Sequence, residues 1–408
     1  MLLIKGGLLI QQKQHPRSSD EKPSTTLDII IKDDIITEIA ENIHETADMT
    51  VIDAAGLIVA PGLVDIHVHF REPGFEYKED ILTGSAAAAA GGVTTCCCMP
   101  NTSPVADCAE IMEIITCKAK QASVRVLPIG AVTIGQKGEE LTDFASLKNA
   151  GAVALSDDGI PIKSTEVMQK ALKKAGENDI LIISHCEEEV SMVARDTKLA
   201  AETNTRVHIA HVSTAGAVET IRKAKAAGIK VTAETCPHYF SLTESAVAEK
   251  GTLAKMSPPL RSKKDVEEII RGLCDGTIDA IATDHAPHSA EEKAQPFSEA
   301  PNGIIGLETS LALSLTFLYH TKKLSINKII ELMSSKPAEI LRLDTGKSRT
   351  GILEKGSVAD IVIFDPDEEW TVDPTDFKSK AHNTVFIGMK LRGKVKYTIS
   401  RGKVVYKG

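Results

Sequence analysis

Short apolar runs alternate with longer segments in which apolar residues return every three or four positions, and this double rhythm holds through most of the chain. The runs at 64–70, 93–98, 124–130, 152–156, 180–185, 206–211, 230–234 and 280–283 are rich in β-branched residues or cysteine and predict eight strands. Between them, 85–90, 108–121, 165–175, 190–202, 215–226 and 264–273 predict helices, with Gly91, Gly176 and Gly228 read as C-terminal caps. Eight strand–helix units predict an α/β fold, a TIM (β/α)8 barrel over 51–349, whose catalytic residues belong at the C-terminal ends of the strands. The flanks, 1–50 and 350–408, carry short strands and turns too small to be stable alone, so they are expected to pair as the two parts of one small β-sandwich.

Composition narrows the function classes. The chain has 408 residues and a formal charge of -9, with no long basic block, which argues against nucleic acid or an anionic membrane as the main partner. No apolar run approaches the roughly 20 residues of a membrane span. The opening MLLIKGGLLI reads as a first strand rather than a signal peptide. Cys96, Cys97 and Cys98 are consecutive within a strand, and the other five cysteines form no CxxC pair. They are read as soft packing residues of a reduced, cytoplasmic protein.

The chemistry lies at the strand ends. His67 and His69 stand two apart on an apolar strand, so they project together and can grip one metal ion, while Asp65 and Val68 are read as facing elsewhere. Later strands end in Ser156-Asp157-Asp158-Gly159, Ser184-His185-Cys186, Ala210-His211-Val212 and Thr283-Asp284-His285. Imidazoles and carboxylates converging on one barrel mouth suit Zn²⁺, and a bridging carboxylate lets two ions share a site. His208 is read as a core or supporting imidazole, His285 as facing away from Asp284, and His238 as open between pocket and core. The charged segment 289–301 is read as a lid.

These residues carry a resemblance. From DIHVHFREPG through YKED, GGVTTCCCMPNTSP, SDDG, SHCE, AHVSTAGAV, SPPLR, DGTIDAIATDHAPH and EKAQPF to GIIGLET, the chain resembles the dihydroorotases of the amidohydrolase superfamily. The resemblance implies one or two Zn²⁺ per chain: His67 and His69 on one ion, His185 and His211 on the other, Asp158 bridging. Asp284 would complete the first shell and act as general base, working with a zinc-bound hydroxide. It implies reversible cyclisation of N-carbamoyl-L-aspartate to (S)-dihydroorotate in pyrimidine biosynthesis, with Arg71, His69, Asn101, Ser257, His288, Asn302 and Gly303 at the substrate. Arg71 suits the substrate's carboxylate because a guanidinium matches it in two-pronged fashion. A homodimer is expected, and association with an aspartate transcarbamoylase is an open expectation.

Two other readings compete. A hydantoinase or allantoinase would bridge its metals with a carboxylated lysine, where this chain has Asp158 and its nearest lysine, Lys163, lies past the turn. A silent scaffold subunit would lack ligands, whereas all six are present. Two departures from the family pattern touch the pocket: Ser257 in place of asparagine before Pro258-Pro259-Leu260-Arg261, and a short segment between His185 and His211.

Overall fold

The computed structural model describes residues 1–10, 26–346 and 349–408; of the expected N-terminal sandwich part, 11–25 lies outside the described residues. The chain opens with β1 (Leu2–Leu9), β2 (Thr26–Lys32), β3 (Ile35–Ala40), β4 (Thr50–Asp53) and β5 (Ile58–Pro61). The barrel strands follow: β6 (Leu63–Val68), β7 (Val93–Cys98), β8 (Arg125–Pro128), β9 (Ala154–Ser156), β10 (Leu181–Ser184), β11 (Val207–Ile209), β12 (Val231–Thr235) and β13 (Ala280–Ile281). The chain closes with β14 (Ile361–Thr371), β15 (Lys390–Ser400) and β16 (Lys403–Lys407).

All eight barrel strands run parallel, in two hydrogen-bonded arcs, β6-β7-β8 and β9-β10-β11-β12-β13. Parallel bridges between Gly130 and Leu155 and between Val68 and His285 close the ring. At the second seam His69 N donates to His285 O at 2.8 Å, so closure itself fixes the strand that carries the paired histidines. The eight expected strands and six expected helices are all present, with ends shifted by a few residues.

The helices form where propensity, capping and an apolar stripe agree. Lys263–Asp275 starts at a Ser262 capping box, buries Ile269, Ile270 and Leu273 on one face and stops at Gly276 with φ +80°. Gly176, expected as a cap, instead lies inside Thr165–Glu177; a Cβ there would meet Thr205 Oγ1 at 2.7 Å, so close approach of the loop before β11, not helix termination, requires glycine.

The base of the barrel is plugged. Val64, Ile66, Cys97, Met99, Leu181, Ile183 and Ala280 pack inward against Ala338, Ile340 and Leu341, and Ser334 Oγ donates to Gly62 O at the start of β6. Cys96 and Cys98 face the opposite way, into the layer beneath the helices. All three thiols are buried, which pushes their pKa upward and suits packing rather than reactivity.

Strands from both chain ends make the sandwich layer, hydrogen-bonded in the order β16-β15-β14-β5-β1-β2-β3, with β4 also on β1. It has its own apolar core, including Ile4, Leu9, Ile29, Ile31, Val59, Ile361, Ile363 and Ile399. β4 and β5 extend this layer beyond residue 50, because β5 is the strand that joins β1 to β14.

Candidate active site

Each expected ligand sits at or just past a strand end on the same face of the barrel, and each is buried: His67, His69, Asp158, His185, His211 and Asp284 are all at most 7% exposed. Their donor atoms converge. Asp158 Oδ1 lies 3.3 Å from His67 Nε2, 3.2 Å from His185 Nδ1 and 3.4 Å from His211 Nε2, while its Oδ2 lies 3.3 Å from His69 Nε2. Asp284 Oδ1 is 3.1 Å from His69 Nε2 and 3.5 Å from His67 Nε2. His185 Nδ1 and His211 Nε2 are 2.7 Å apart.

Two trios have donor atoms mutually within 4.8 Å, His67/His69/Asp284 and His67/Asp158/His211. The first is the expected first-metal set. The second takes His67 beside His211, with His185 flanking it through Asp158 and His211. Asp158 therefore stands between the groups. Its low position on the titration scale follows: burial alone would raise it, but His67, His185 and His211 hold it well below the usual carboxylate range.

The tautomers fit a cation. His67 Nδ1–H donates to Glu234 Oε1 at 2.6 Å, which leaves the buried Nε2 as a lone pair with no hydrogen-bond partner, facing two carboxylates. His69 Nδ1–H donates to Asn101 Oδ1 at 2.8 Å, leaving its Nε2 aimed at the same place. Buried lone pairs and carboxylate oxygens crowded together repel one another unless a cation lies between them, so the donor set fits one or two divalent ions. Backbone strain is present here as well: Arg71, His211 and Asp284 have φ of +62°, +33° and +48°, in the left-handed region that costs a non-glycine residue about 1–3 kcal/mol.

Sequence reasoning missed the carboxylates behind the histidines. Glu234, fully buried at the end of β12, accepts from His67 with one oxygen and from His208 Nε2 with the other at 3.2 Å; His208 Nδ1 in turn accepts from Thr232 Oγ1. Burial would raise Glu234, yet His67 and His208 pull it down to about 2. His208 is thus a supporting imidazole, as its strand parity implied. Asp65 shares the strand of His67 but stays out of the cluster. Strand β6 slips register against β7 between Asp65 and Val68, and the Asp65 carboxylate accepts from His67 N and from Thr283 N and Oγ1. The only signal for either was an acidic residue inside an apolar strand.

On the substrate side, Arg71 is partly buried and makes no ion pair among the described residues. Its Nε donates to Pro287 O at 3.2 Å and its Nη2 lies 3.3 Å from His288 Nε2. The carboxylates nearest in sequence are engaged elsewhere: Glu72 accepts from Ile81 N and faces Lys118, and Glu76 accepts from Gly74 N. Burial lowers the guanidinium to about 10, against the pull of Asp284 and Asp158. His288 donates from Nε2 to Asn302 O at 2.8 Å, and Gly303, at φ +123°, donates to Lys255 O. Arg71, His288, Asn302 and Gly303 are thus one connected wall. Asn101 orients His69 with its amide oxygen. Ser257 is half-buried, and its hydroxyl bonds to none of the described residues.

His285 does face away from Asp284, toward Glu79 at 3.6 Å. His238 is buried on the short helix Pro237–Ser241, its ring against Tyr239, and burial drops it to about 4. The expected lid is tied down. Ser289 caps a short helix, and Lys293 turns inward to donate to Lys255 O, Pro301 O and Gly303 O. Lys255 Nζ in turn donates to Phe297 O and Ala300 O. Charge-rich composition suggested a lid, and these carbonyl contacts leave no sequence signature.

Comparison with known proteins agrees with this geometry. A family model described as dihydro-orotase-like matches residues 56–231. A dihydroorotase of Acetivibrio thermocellus is 47% identical, with 99% of this chain and 98% of the relative covered. One from Clostridioides difficile is 46% identical over 100% of both. Among solved structures, the L-hydantoinase (dihydropyrimidinase) of Arthrobacter aurescens superposes with a TM-score of 0.87 at 26% identity, covering 100% of this chain and 96% of that one. The dihydropyrimidinase of Brevibacillus agri does so at 0.85 and 25%, covering 99% and 95%. Near-complete coverage of dihydroorotases, joined to a barrel mouth built from histidines and aspartates, places the chain in the dihydroorotase family of cyclic amidohydrolases.

Proposed function

We propose that the chain interconverts N-carbamoyl-L-aspartate and (S)-dihydroorotate with Zn²⁺, one or two per chain, held by His67, His69, Asp158, His185, His211 and Asp284. The observation that carries the substrate is Arg71: a guanidinium beside the metal cluster, without a carboxylate of its own among the described residues, awaits an anionic ligand, and both proposed substrates bear a carboxylate. A bound divalent cation supplies Lewis acidity, acidifying water and polarising the ring carbonyl.

The protein's own groups do the rest. Glu234 and Asn101 fix the Nδ1–H tautomers of His67 and His69, so both Nε2 lone pairs stay directed at the reaction centre. Arg71 and His288 orient the substrate carboxylate from the opposite wall. Asp284 presents Oδ1 to His69 and His67, and we assign its other oxygen, Oδ2, to carry the proton: taken from the attacking water, then delivered to the leaving ring nitrogen as the ring opens. Cyclisation runs the same transfers backward.

A hydantoinase-type bridge has less support here, since Lys163 is 81% exposed and faces Glu187 while Asp158 occupies the bridging place. Complete convergence of six ligands equally weighs against a silent scaffold. We place the enzyme in the cytoplasm as a homodimer; all eight cysteines are free thiols, as a reducing compartment keeps them. The test is metal per chain by elemental analysis together with turnover of dihydroorotate and hydantoin. One or two Zn²⁺, loss of ring opening on chelation and recovery on readdition are expected, with dihydroorotate preferred. Full turnover in metal-free protein, or preference for hydantoin, would refute the reading.

A further inference from the structure

The stretch from Lys378 to Phe386 leaves the sandwich layer and crosses to the barrel mouth, and nothing in its composition announces a role. Ser379, Ala381, Asn383, Thr384, Val385 and Phe386 in it are all buried. It is fastened first to the loop after β6: Ser379 Oγ and Lys380 N donate to Glu79, the buried carboxylate that faces His285. It is fastened next to the loops that follow β13, through one side chain. Asn383 Oδ1 accepts from His288 N at 3.1 Å, and Nδ2 donates to Ala286 O and to Gly303 O, each at 3.1 Å. Its main-chain oxygen accepts from Ile305 N at 3.0 Å.

Asn383, at 4% exposure, thus ties His288 to the chain at Gly303, two sides of the wall that Arg71 joins beside His288. The two sides are packed at closest approach, since a Cβ on Gly303 would lie 2.6 Å from Ala286 Cβ. The position needs one acceptor and two donors within a short side chain. Asparagine supplies them; aspartate supplies only acceptors and would face two carbonyl oxygens, and alanine supplies nothing.

We propose that Asn383 is a positioning residue for the substrate carboxylate, acting from the C-terminal segment by setting the spacing of His288 and Gly303 beside Arg71. This rests on the reading that these groups face the substrate. A carboxylate held by several groups binds in proportion to how well they are placed, and Asn383 bonds to none of the metal-facing groups, five of which lie on other strands. The effect therefore falls on substrate binding.

The test uses the full-length, Zn²⁺-loaded enzyme with N383A and N383D, measuring KM and kcat for dihydroorotate, zinc per chain and the thermal midpoint. We expect KM to rise by about tenfold or more in both variants while kcat stays within about threefold, as loss of binding made equally in ground and transition states requires. N383D should be no better than N383A, and zinc content should match the wild type. A lowered midpoint with unchanged KM would make Asn383 merely structural and overturn the proposal, as would parallel loss of kcat and zinc. Should those variants not accumulate, N383S, which keeps one hydroxyl donor in the same space, is expected to raise KM to a smaller degree, and an unchanged KM there is equally fatal. Failure of the wild type to turn over dihydroorotate would instead sink the functional reading beneath.

Discussion

The two ends of the barrel are built from the same eight strands and hold opposite chemistries. At the base, Val64, Leu181 and Ala280 meet Ala338, Ile340 and Leu341 in a dry plug. At the mouth, three or four residues further along the same strands, six ionisable side chains and the strained backbones of Arg71, His211 and Asp284 crowd together. The base gains free energy from burial, and the mouth consumes some of it to hold like-charged oxygens and lone pairs in place. Stability and chemistry are therefore separable along each strand.

That separation can be broken most forcefully at Asp284. Asp284→Asn should keep the fold and lower kcat by about 10²–10⁴, the usual worth of a general acid–base group. Steady-state kinetics beside a thermal melt checks it, and wild-type turnover would remove Asp284 from the mechanism. The opposite effect belongs to the base. Leu181, 2% exposed in the plug, should on replacement by alanine cost about 2–5 kcal/mol of stability through lost contacts and a cavity, while KM and zinc per chain hold at wild-type values. Denaturant unfolding with kinetics on the folded enzyme decides; a KM shift as large as the stability loss would mean the two ends are coupled.

The smallest effect sharpens the boundary at a third place. Glu308 lies at the seam between barrel and sandwich, accepting from Lys378 N and Ser379 N, and burial raises it to about 7. A carboxyl raised on folding contributes stability that is whole below its unfolded value of 4.5 and is lost as pH climbs through 7. Glu308→Gln should remove that dependence. Relative to the variant, the wild type should lose about 1–2 kcal/mol between pH 4.5 and 7, which appears as a widening gap in thermal midpoint from pH 5 to pH 8. A gap that does not change with pH would contradict the raised value.

Legibility in the sequence follows the same division. The proposed ligands were readable as a converging set because each is an ionisable residue at the end of an apolar run, and barrel topology alone dictates where strand ends meet. Glu234 was not, since its partner His67 is 167 positions away and an acidic residue inside a strand is not in itself a signal. Nor was Glu79, whose carboxylate is met by Ser379 across 300 positions. Gly176 was misread for a related reason: glycine after an amphipathic run looks like a cap, and only the neighbouring Thr205 shows that it is a contact surface. Period and residue type disclose what a residue's own strand or helix demands, while the contacts that tune the site come from elements the local pattern does not mention.

The antiparallel pairing of β14 with β5 has a consequence for how the protein is made. By the time a ribosome has delivered residue 349, every proposed metal ligand has emerged, yet β5 still lacks the partner that pairs Ile361 with Pro61 and Phe364 with Ile58. Until those residues appear, the nascent chain carries an open strand edge beside a nearly finished barrel, the kind of edge at which unfinished proteins stick to one another. The segment holding Asn383 follows closely after β14. Protection from aggregation and the last support of the proposed substrate wall thus arrive together, after every proposed ligand, and a chain cut short before β14 would carry those residues yet be prone to be cleared.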